Sequence, residues 1–206
     1  MDKKVLVVDL DSTLYNANTF HEFLKYLLKF FFKKIKLLKL ITLIIFLKFR
    51  FVRIISHARL KYQVMKMIQN DDLDFETFVS KLETYKNDIK EVSNSGFDIK
   101  VLATAAPYSY AQVIAKQYNF DACLATNFPK NGFVSNFENL GKQKKIRLSE
   151  YLKANALQSV DTFITDHEDD IPIVKMAQKN IIISPNKKFY NWLNENLINF
   201  EIREMK

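Results

Sequence analysis

Short apolar runs alternate with amphipathic stretches along most of this chain, a pattern typical of an α/β protein. Five of the runs are short, apolar and rich in β-branched residues, as buried strands are. The predicted strands are residues 5–8, 99–103, 122–125, 162–165 and 181–184. The predicted helices among them are residues 110–118, 141–152 and 189–196. Because strands separated by helices form parallel sheets with right-handed crossovers, these elements predict a five-stranded parallel sheet.

A long stretch after the first strand interrupts this alternation with helical spacing throughout. Its apolar residues recur three and four positions apart, as on the buried face of an amphipathic helix. Helices are predicted to begin at residue 20, at residue 57 and at residue 75. Thr19 and Glu22 have the spacing of a capping box, which predicts the start of the first of them. We therefore expect residues 1–14 and 91–206 to form one core and residues 15–90 to form an inserted all-helical domain.

Positive charge is concentrated in this insert. The chain of 206 residues has a net charge of +8. Residues 20–61 contain eleven lysines and arginines against one acid, Glu22, a local charge of +10, so the rest of the chain carries −2. The apolar run at residues 40–47 is eight residues long, whereas a helix that spans a membrane needs about 20.

A helix with an apolar face and a lysine-rich face is typical of proteins that bind at a membrane interface. The insert therefore predicts an anionic membrane surface as a partner. Two alternatives stay open, namely that the lysines only face water and that the apolar face pairs with a second copy. Nucleic acid ranks below these, because it would leave the aliphatic side chains exposed.

The cysteine content and the amino-terminal residues favour a reducing compartment. A single cysteine, Cys123, excludes an internal disulfide. Only four apolar residues precede Asp9, too few for the core of a signal peptide. We expect a cytoplasmic location, with peripheral association at the inner membrane surface.

Acidic residues follow the first and the fourth predicted strands. Asp9 and Asp11 are two residues apart, so on an extended chain both carboxylates share one face. Two adjacent carboxylates raise each other's pKa, and a cation or a division of roles between them relieves this. Thr104 follows the second strand, and Asp166 and Asp170 follow the fourth. Because ligands bind outside the carboxyl ends of parallel strands, these residues predict one common site.

These motifs, in this order, resemble the haloacid dehalogenase superfamily of aspartate-dependent phosphohydrolases. The first matches the signature Asp-x-Asp-x-Thr-Leu over residues 9–14, and Asp166 and Asp170 match its Asp-x-x-x-Asp motif, although Thr165 and His167 replace the usual glycine neighbour. The resemblance implies a Rossmann-like core. The insert resembles the helical cap of the phosphoserine-phosphatase-like subgroup.

Within that subgroup, three stretches resemble the phosphatidylglycerophosphatase-type branch, namely residues 18–20, 103–108 and 141–148. Asn18 occupies the position where phosphoserine phosphatases carry a glutamate that binds the substrate amine, which argues against phosphoserine. The active-site lysine of the family matches Lys144 best and Lys142 second. Lys145 completes the same helix start.

The resemblance implies a phosphomonoester hydrolase that works through an aspartyl-phosphate intermediate. Asp9 would be the nucleophile and Asp11 the general acid and base. Mg²⁺ would be held by Asp9, by the backbone carbonyl of Asp11 and by Asp166. Thr104 and Lys144, or Lys142, would bind phosphoryl oxygens, with Asp170 in a supporting role. A dehalogenase is disfavoured, because displacement of a halide would leave Asp11 without a task.

The substrate expected from the basic insert is a lipid or membrane-associated phosphate such as phosphatidylglycerophosphate. Two other functions stay open. One is a phosphatase of the same fold that acts on a soluble metabolite. The other is a catalytically inactive module that only binds membranes.

Overall fold

One parallel sheet organises the computed structural model, which describes residues 3–93 and 96–204. The ends of the predicted core at residues 1 and 206 lie outside the described residues. The strands are β1 (Val5–Val8), β2 (Ile99–Pro107), β3 (Ala122–Thr126), β4 (Val160–Thr165), β5 (Ala177–Ile183) and β6 (Phe200–Arg203). Their order is β3-β2-β1-β4-β5-β6, and every neighbouring pair is parallel. The strand that carries Asp9 at its end therefore lies inside the sheet, between β2 and β4.

The described residues thus form six strands, one more than predicted. The strand that the prediction missed is β6, at the edge of the sheet. Its short sequence places Glu201 and Arg203 among apolar residues, unlike the apolar runs of the inner strands. A long-range ion pair fixes it, because Arg203 Nη1 and Nη2 donate to the two carboxylate oxygens of Glu91 at 2.8 and 3.0 Å. Such a contact between distant residues leaves no local sequence pattern.

Helices cover both faces of the sheet and fill the long insertion after β1. They are α1 (Thr19–Lys33), α2 (Leu37–Phe51), α3 (His57–Ile68), α4 (Phe75–Leu82), α5 (Lys90–Ser93), α6 (Tyr108–Gln117), α7 (Lys142–Ala154), α8 (Ile171–Val174) and α9 (Lys187–Glu195). Short 3₁₀ turns occupy Glu83–Tyr85 and Glu168–Asp170. Within the part of the chain that the structure describes, no helix is long and apolar enough to cross a membrane. We keep the division into a core and a cap of residues 15–90 as a proposal.

The alternation of side chains along β1 divides the apolar core between the two faces of the sheet. Leu6 and Val8 pack on the side of the cap helices and α6. Val5 and Val7 pack on the other side, against residues of α7 and α9. All four side chains are fully buried, as expected for an inner strand of a parallel sheet. The sheet is thereby fixed as a rigid support for the residues at its carboxyl edge.

The N-cap residue of helix α1 lies one position earlier than the capping-box spacing predicted. Asn18 is the N-cap of α1, and its side chain accepts a hydrogen bond from the backbone N–H of His21 at 2.9 Å. Thr19 is not the cap. Its backbone N–H donates to Asp11 Oδ1 at 2.6 Å. The first turn of α1 is therefore bonded directly to the loop that follows β1.

Strand β2 is longer than predicted, and Asn139 stabilises its irregular end. The pairing of β2 with β3 shifts between Ala103 and Pro107. The buried Asn139 side chain donates to the carbonyls of Thr104 at 3.0 Å and Leu124 at 2.7 Å. Thr104 thus lies inside the strand and does not end it.

Replacing Asn139 by alanine is expected to lower the free energy of unfolding by about 1–3 kcal/mol, because one buried and one partly buried carbonyl lose their donor. Asn136, an exposed residue of the same loop, provides the matched control. Urea denaturation of Asn139→Ala and Asn136→Ala measures the difference. Equal stability of the two variants would contradict this assignment.

Candidate active site

A cavity of about 300 Å³ opens at the carboxyl edge of the sheet. The loops after β1 and β4 supply its acidic wall, and the starts of α1 and α3 supply its opposite wall. The charged side chains that line it are Asp9, Asp11, Asp166, Asp169, Asp170, Glu138, Lys61 and Lys144. The structure therefore brings together the acidic residues that the sequence placed after two separate strands.

Lys144 is the centre of a buried ion-pair network in this cavity. Its Nζ donates to Asp9 Oδ1 at 2.7 Å and to the two carboxylate oxygens of Asp170 at 2.8 and 2.7 Å. Thr165 Oγ1 also donates to Asp170, at 2.7 Å. Burial alone would lower the pKa of Lys144, but the carboxylates of Asp170 and Asp9 raise it above its usual value. Lys144 therefore stays charged beside Asp9.

The start of α7 selects this lysine among its neighbours. Gly141 precedes the helix with φ of +55°, a conformation that side-chain-bearing residues rarely adopt. Lys144 is buried in the cavity, while Lys142 and Lys145 are exposed. Of the two candidates Lys142 and Lys144, it is Lys144 that lines the cavity, and its role as the active-site lysine stays a prediction.

Asp11 lines the same cavity as this network. Its Oδ1 accepts the hydrogen bond from the backbone N–H of Thr19, so the start of α1 orients the carboxylate. Ser12 follows with φ of +52°, a strained value for a residue with a side chain. This turn places Asp9 and Asp11 at the same cavity, as their spacing predicted.

Asp166 completes a crowded group of carboxylates. Thr13 Oγ1 donates to Asp166 Oδ1 at 3.3 Å. Burial is the main cause that raises the pKa of Asp166 to about 6, and the charge of Asp170 adds to it. Burial likewise raises the pKa of Asp9 well above its usual value, with Lys144 opposing and Asp170 and Asp166 adding to the rise. Burial and the neighbouring carboxylates together therefore disfavour the charged forms of Asp9 and Asp166.

A divalent cation fits the excess of acidic groups in this cavity. The cavity is lined by six carboxylates and two lysines, so acidic groups outnumber basic ones among these side chains by four. In the described part of the chain, no three His, Cys, Asp or Glu side chains are arranged to hold a metal by themselves. The metal ligands predicted from the sequence include only two carboxylates, those of Asp9 and Asp166, together with the backbone carbonyl of Asp11. Mg²⁺ is commonly held by one or two carboxylates, with water and substrate oxygens as the other ligands.

Thr104 does not line the cavity. Its side chain is buried, and its Oγ1 accepts a hydrogen bond from the backbone N–H of Ala106 at 3.0 Å. The neighbouring Ala105 lines the cavity instead. In this structure the Thr104 hydroxyl therefore does not face the cavity, and its expected contact with phosphoryl oxygens stays a prediction.

Three residues that sequence reasoning did not place in the site form its opposite wall, namely His57, Lys61 and Glu138. Lys61 Nζ, on α3, donates to the carbonyl of Ala105 at 2.8 Å and to Glu138 Oε1. His57 Nδ1 lies 3.7 Å from the same carboxylate oxygen. Burial alone would raise the pKa of Glu138, but His57 and Lys61 lower it below its usual value. These contacts hold α3 over the cavity.

A sequence signal for Lys61 existed. Lys61 shares a helical face with Met65 and Ile68, both buried, so a lysine stands where the spacing calls for an apolar residue. A buried lysine needs a partner. Glu138 lies in a loop without regular spacing, so the partner itself left no comparable signal.

Replacing Lys144 by methionine is expected to destabilise the protein by about 3–5 kcal/mol at neutral pH, because buried carboxylates lose their cation. Lys142→Met and Lys145→Met are the matched controls, and each is expected to change stability by less than about 0.5 kcal/mol. Urea denaturation measures all three. The deficit of Lys144→Met should shrink as the pH falls, since protonation of Asp9 removes its uncompensated charge. A deficit independent of pH would contradict this explanation.

Solved structures of low sequence identity share this fold. A protein of unknown function from Bordetella pertussis Tohama I superposes with a TM-score of 0.72 at 12% identity, covering 97% of this chain and 98% of the other. A HAD family hydrolase from Salmonella enterica serovar Typhi gives 0.62 at 9% identity, covering 99% and 68%. A phosphoserine phosphatase, solved as a phospho-aspartyl intermediate analogue, gives 0.55 at 15% identity, covering 98% and 93%.

Sequence comparison identifies the family. No curated protein matches the sequence closely enough to count as a relative. A family profile described as haloacid dehalogenase-like hydrolase matches residues 6–175, most of the chain, from the strand before Asp9 to beyond Asp170. The chain therefore belongs to the haloacid dehalogenase-like hydrolase family.

Proposed function

We propose that this protein is a Mg²⁺-dependent phosphomonoester hydrolase that forms an aspartyl-phosphate on Asp9. The observation that carries the proposal is the buried contact of Lys144 with Asp9, in a cavity that Asp11 and Asp166 also line. Phosphomonoesters react slowly because their negative charge repels nucleophiles, so catalysis requires positioning and charge neutralisation. A nucleophilic carboxylate beside a buried lysine supplies both.

In the first step, a carboxylate oxygen of Asp9 attacks phosphorus, and the bond from phosphorus to the leaving oxygen breaks. Asp11 gives its proton to that oxygen, so the alcohol leaves in neutral form. In the second step, Asp11 takes a proton from a water molecule, which attacks the phosphorus of the aspartyl-phosphate. Inorganic phosphate leaves, and Asp9 is again a free carboxylate. The hydrogen bond from Thr19 supports these roles, because it orients Asp11 without involving Asp9.

Lys144 neutralises charge on the phosphoryl oxygens in this proposal, and Asp170 positions Lys144 through two hydrogen bonds. Asp9, the backbone carbonyl of Asp11 and Asp166 would hold Mg²⁺. When bound, the ion supplies Lewis-acid neutralisation of the phosphoryl group. Thr104 stays a candidate for binding phosphoryl oxygens through its hydroxyl hydrogen, after a local shift of β2.

The substrate that we propose is a lipid phosphate such as phosphatidylglycerophosphate, as in the phosphatidylglycerophosphatase-type branch. A cavity of about 300 Å³ accommodates a phosphorylated headgroup but not two acyl chains. The opposite wall offers Lys61 and Glu138, which suit the hydroxyl groups of a polar headgroup. Exposed apolar and basic side chains of the cap could meet the lipid itself. The two alternatives remain a soluble-metabolite phosphatase and an inactive membrane-binding module.

Asp9→Asn is expected to abolish release of phosphate from p-nitrophenyl phosphate in the presence of Mg²⁺, because the nucleophile is lost. Asp11→Asn should lower the rate about 10²–10⁴-fold, the usual contribution of general acid–base catalysis. Asp169→Asn is the matched control, since this exposed acid lines the same cavity outside the network. Chelation of divalent cations should stop the wild-type reaction. Full activity of Asp9→Asn would exclude this mechanism.

A panel of phosphoesters tests the proposed substrate. We expect phosphatidylglycerophosphate in mixed micelles to give a higher kcat/KM than glycerol 3-phosphate or phosphoserine. Lys61→Met should raise KM for the lipid substrate more than for p-nitrophenyl phosphate, because Lys61 lies on the headgroup wall. Equal turnover of soluble substrates with and without anionic micelles would favour the soluble-metabolite enzyme. Absence of turnover for every phosphoester would favour the inactive module.

A further inference from the structure

The most unusual surface of the molecule is an exposed apolar area on the cap. Nineteen large apolar side chains are exposed in the described residues, and eleven of them lie between Phe32 and Ile54. These eleven side chains are here called the α2 surface. Contiguous exposed apolar patches on soluble proteins mark sites of interaction. The α2 surface therefore requires a partner.

The packing of α2 leaves this face free. Leu43 is the one fully buried residue of α2, and Leu40, Phe46 and Leu47 are partly buried on the same side. A helix packed on one side normally carries polar residues on the other. Here the outward side carries side chains such as Leu38, which is 84% exposed. The helix thus carries apolar residues on its outward side as well, although only its inner side is packed against the protein.

The charges around the α2 surface indicate what covers it. Lys33, Lys34, Lys48 and Arg53 are exposed within or beside it. Between Glu22 and Asp71 the sequence contains no acidic residue. A second copy docked on the same surface would bring basic residues against basic residues. An anionic lipid headgroup layer above an apolar interior complements both the charge and the exposed side chains.

We propose that the α2 surface docks on an anionic phospholipid bilayer, with α2 lying in the plane of the interface. Fifteen residues of helix extend about 22 Å, less than the ~30 Å hydrocarbon core of a bilayer. The apolar side chains enter the acyl boundary, and the lysines extend to the phosphate layer. As the means of reaching a lipid phosphate, this docking rests on the proposed function. As a binding event, it is independent of catalysis.

The connection from α2 to α3 places the cavity beside this surface. Phe51 and Ile54, which are 88% and 67% exposed, belong to the docking side. Ile54 is three residues before His57, which lines the cavity. The Cα atoms of the two residues are therefore at most about 11 Å apart. A protein held on the bilayer by the α2 surface therefore has its cavity within reach of the headgroups.

Vesicle co-sedimentation tests the docking directly. We expect the wild-type protein to bind vesicles of phosphatidylglycerol and phosphatidylcholine, and to bind pure phosphatidylcholine more weakly. Leu38→Ser with Phe51→Ser should weaken binding about tenfold or more, because two apolar anchors are lost. Lys34→Gln with Lys48→Gln should weaken binding to anionic vesicles about thirtyfold, with less effect at high salt.

Matched controls remove equivalent side chains elsewhere. Val134→Ser with Leu197→Ser replaces two exposed apolar residues outside the surface, and Lys116→Gln with Lys153→Gln removes two exposed lysines. Both controls should bind vesicles as the wild type does. Hydrolysis of p-nitrophenyl phosphate should be unchanged in the α2-surface variants, which also shows that they are folded.

Three results would overturn the proposal. The first is binding of the α2-surface variants equal to that of the controls. The second is equal binding to neutral and anionic vesicles. The third is a wild-type dimer by light scattering that becomes monomeric in Leu38→Ser with Phe51→Ser and does not bind vesicles, since a second copy would then cover the surface. If Asp9→Asn binds vesicles and the wild type has no phosphatase activity, the docking proposal stands and the proposed catalytic function is rejected.

Discussion

The buried contact of one lysine with two aspartates is the constraint on which the arrangement of the active site depends. Lys144, Asp9 and Asp170 come from α7, from the end of β1 and from the loop after β4. A buried charge without a partner is strongly unfavourable, so these three segments must converge for any one of them to be stable. The sheet makes this possible, because parallel strands deliver their carboxyl ends to one edge. The fold and the site are thus stabilised by the same contacts.

The network is electrostatically incomplete, and this is its chemical significance. Lys144 is already shared between two carboxylates, so it does not offset Asp11 and Asp166, which line the same cavity. Burial is the main cause of the raised pKa values of Asp9 and Asp166, and the charge of the neighbouring carboxylates adds to both. A site that only stabilised the fold would gain nothing from its excess of acidic over basic groups. In the proposed function that excess has a use, because Asp9 and Asp166 would be ligands of a divalent cation and Asp11 would transfer a proton.

Features encoded by local pattern could be predicted from the sequence, and features encoded by distant contacts could not. The strand before Asp9, the clustering of Asp11 with Asp166 and the helical insert follow from short-range spacing and from the topology of parallel sheets. The edge strand β6 depends on the pairing of Arg203 with Glu91, 112 residues away. The wall formed by Lys61 and a loop glutamate likewise joins separate segments. Its only local trace is a lysine on an apolar helix face.

Two helices of the cap depart in opposite ways from the usual burial of side chains, and the difference indicates that they have different functions. Helix α3 buries a charged residue, Lys61, over the cavity, whereas α2 exposes apolar residues such as Leu38 to the outside. A buried charge and an exposed apolar surface are both unfavourable without a partner. For Lys61 the partner is Glu138 within the protein. For α2 the proposed partner is an anionic bilayer, because the inner side of the helix is already packed against the protein. Only two residues separate Ile54 from His57, so in this proposal a bilayer that covers α2 would also lie near the entrance of the cavity.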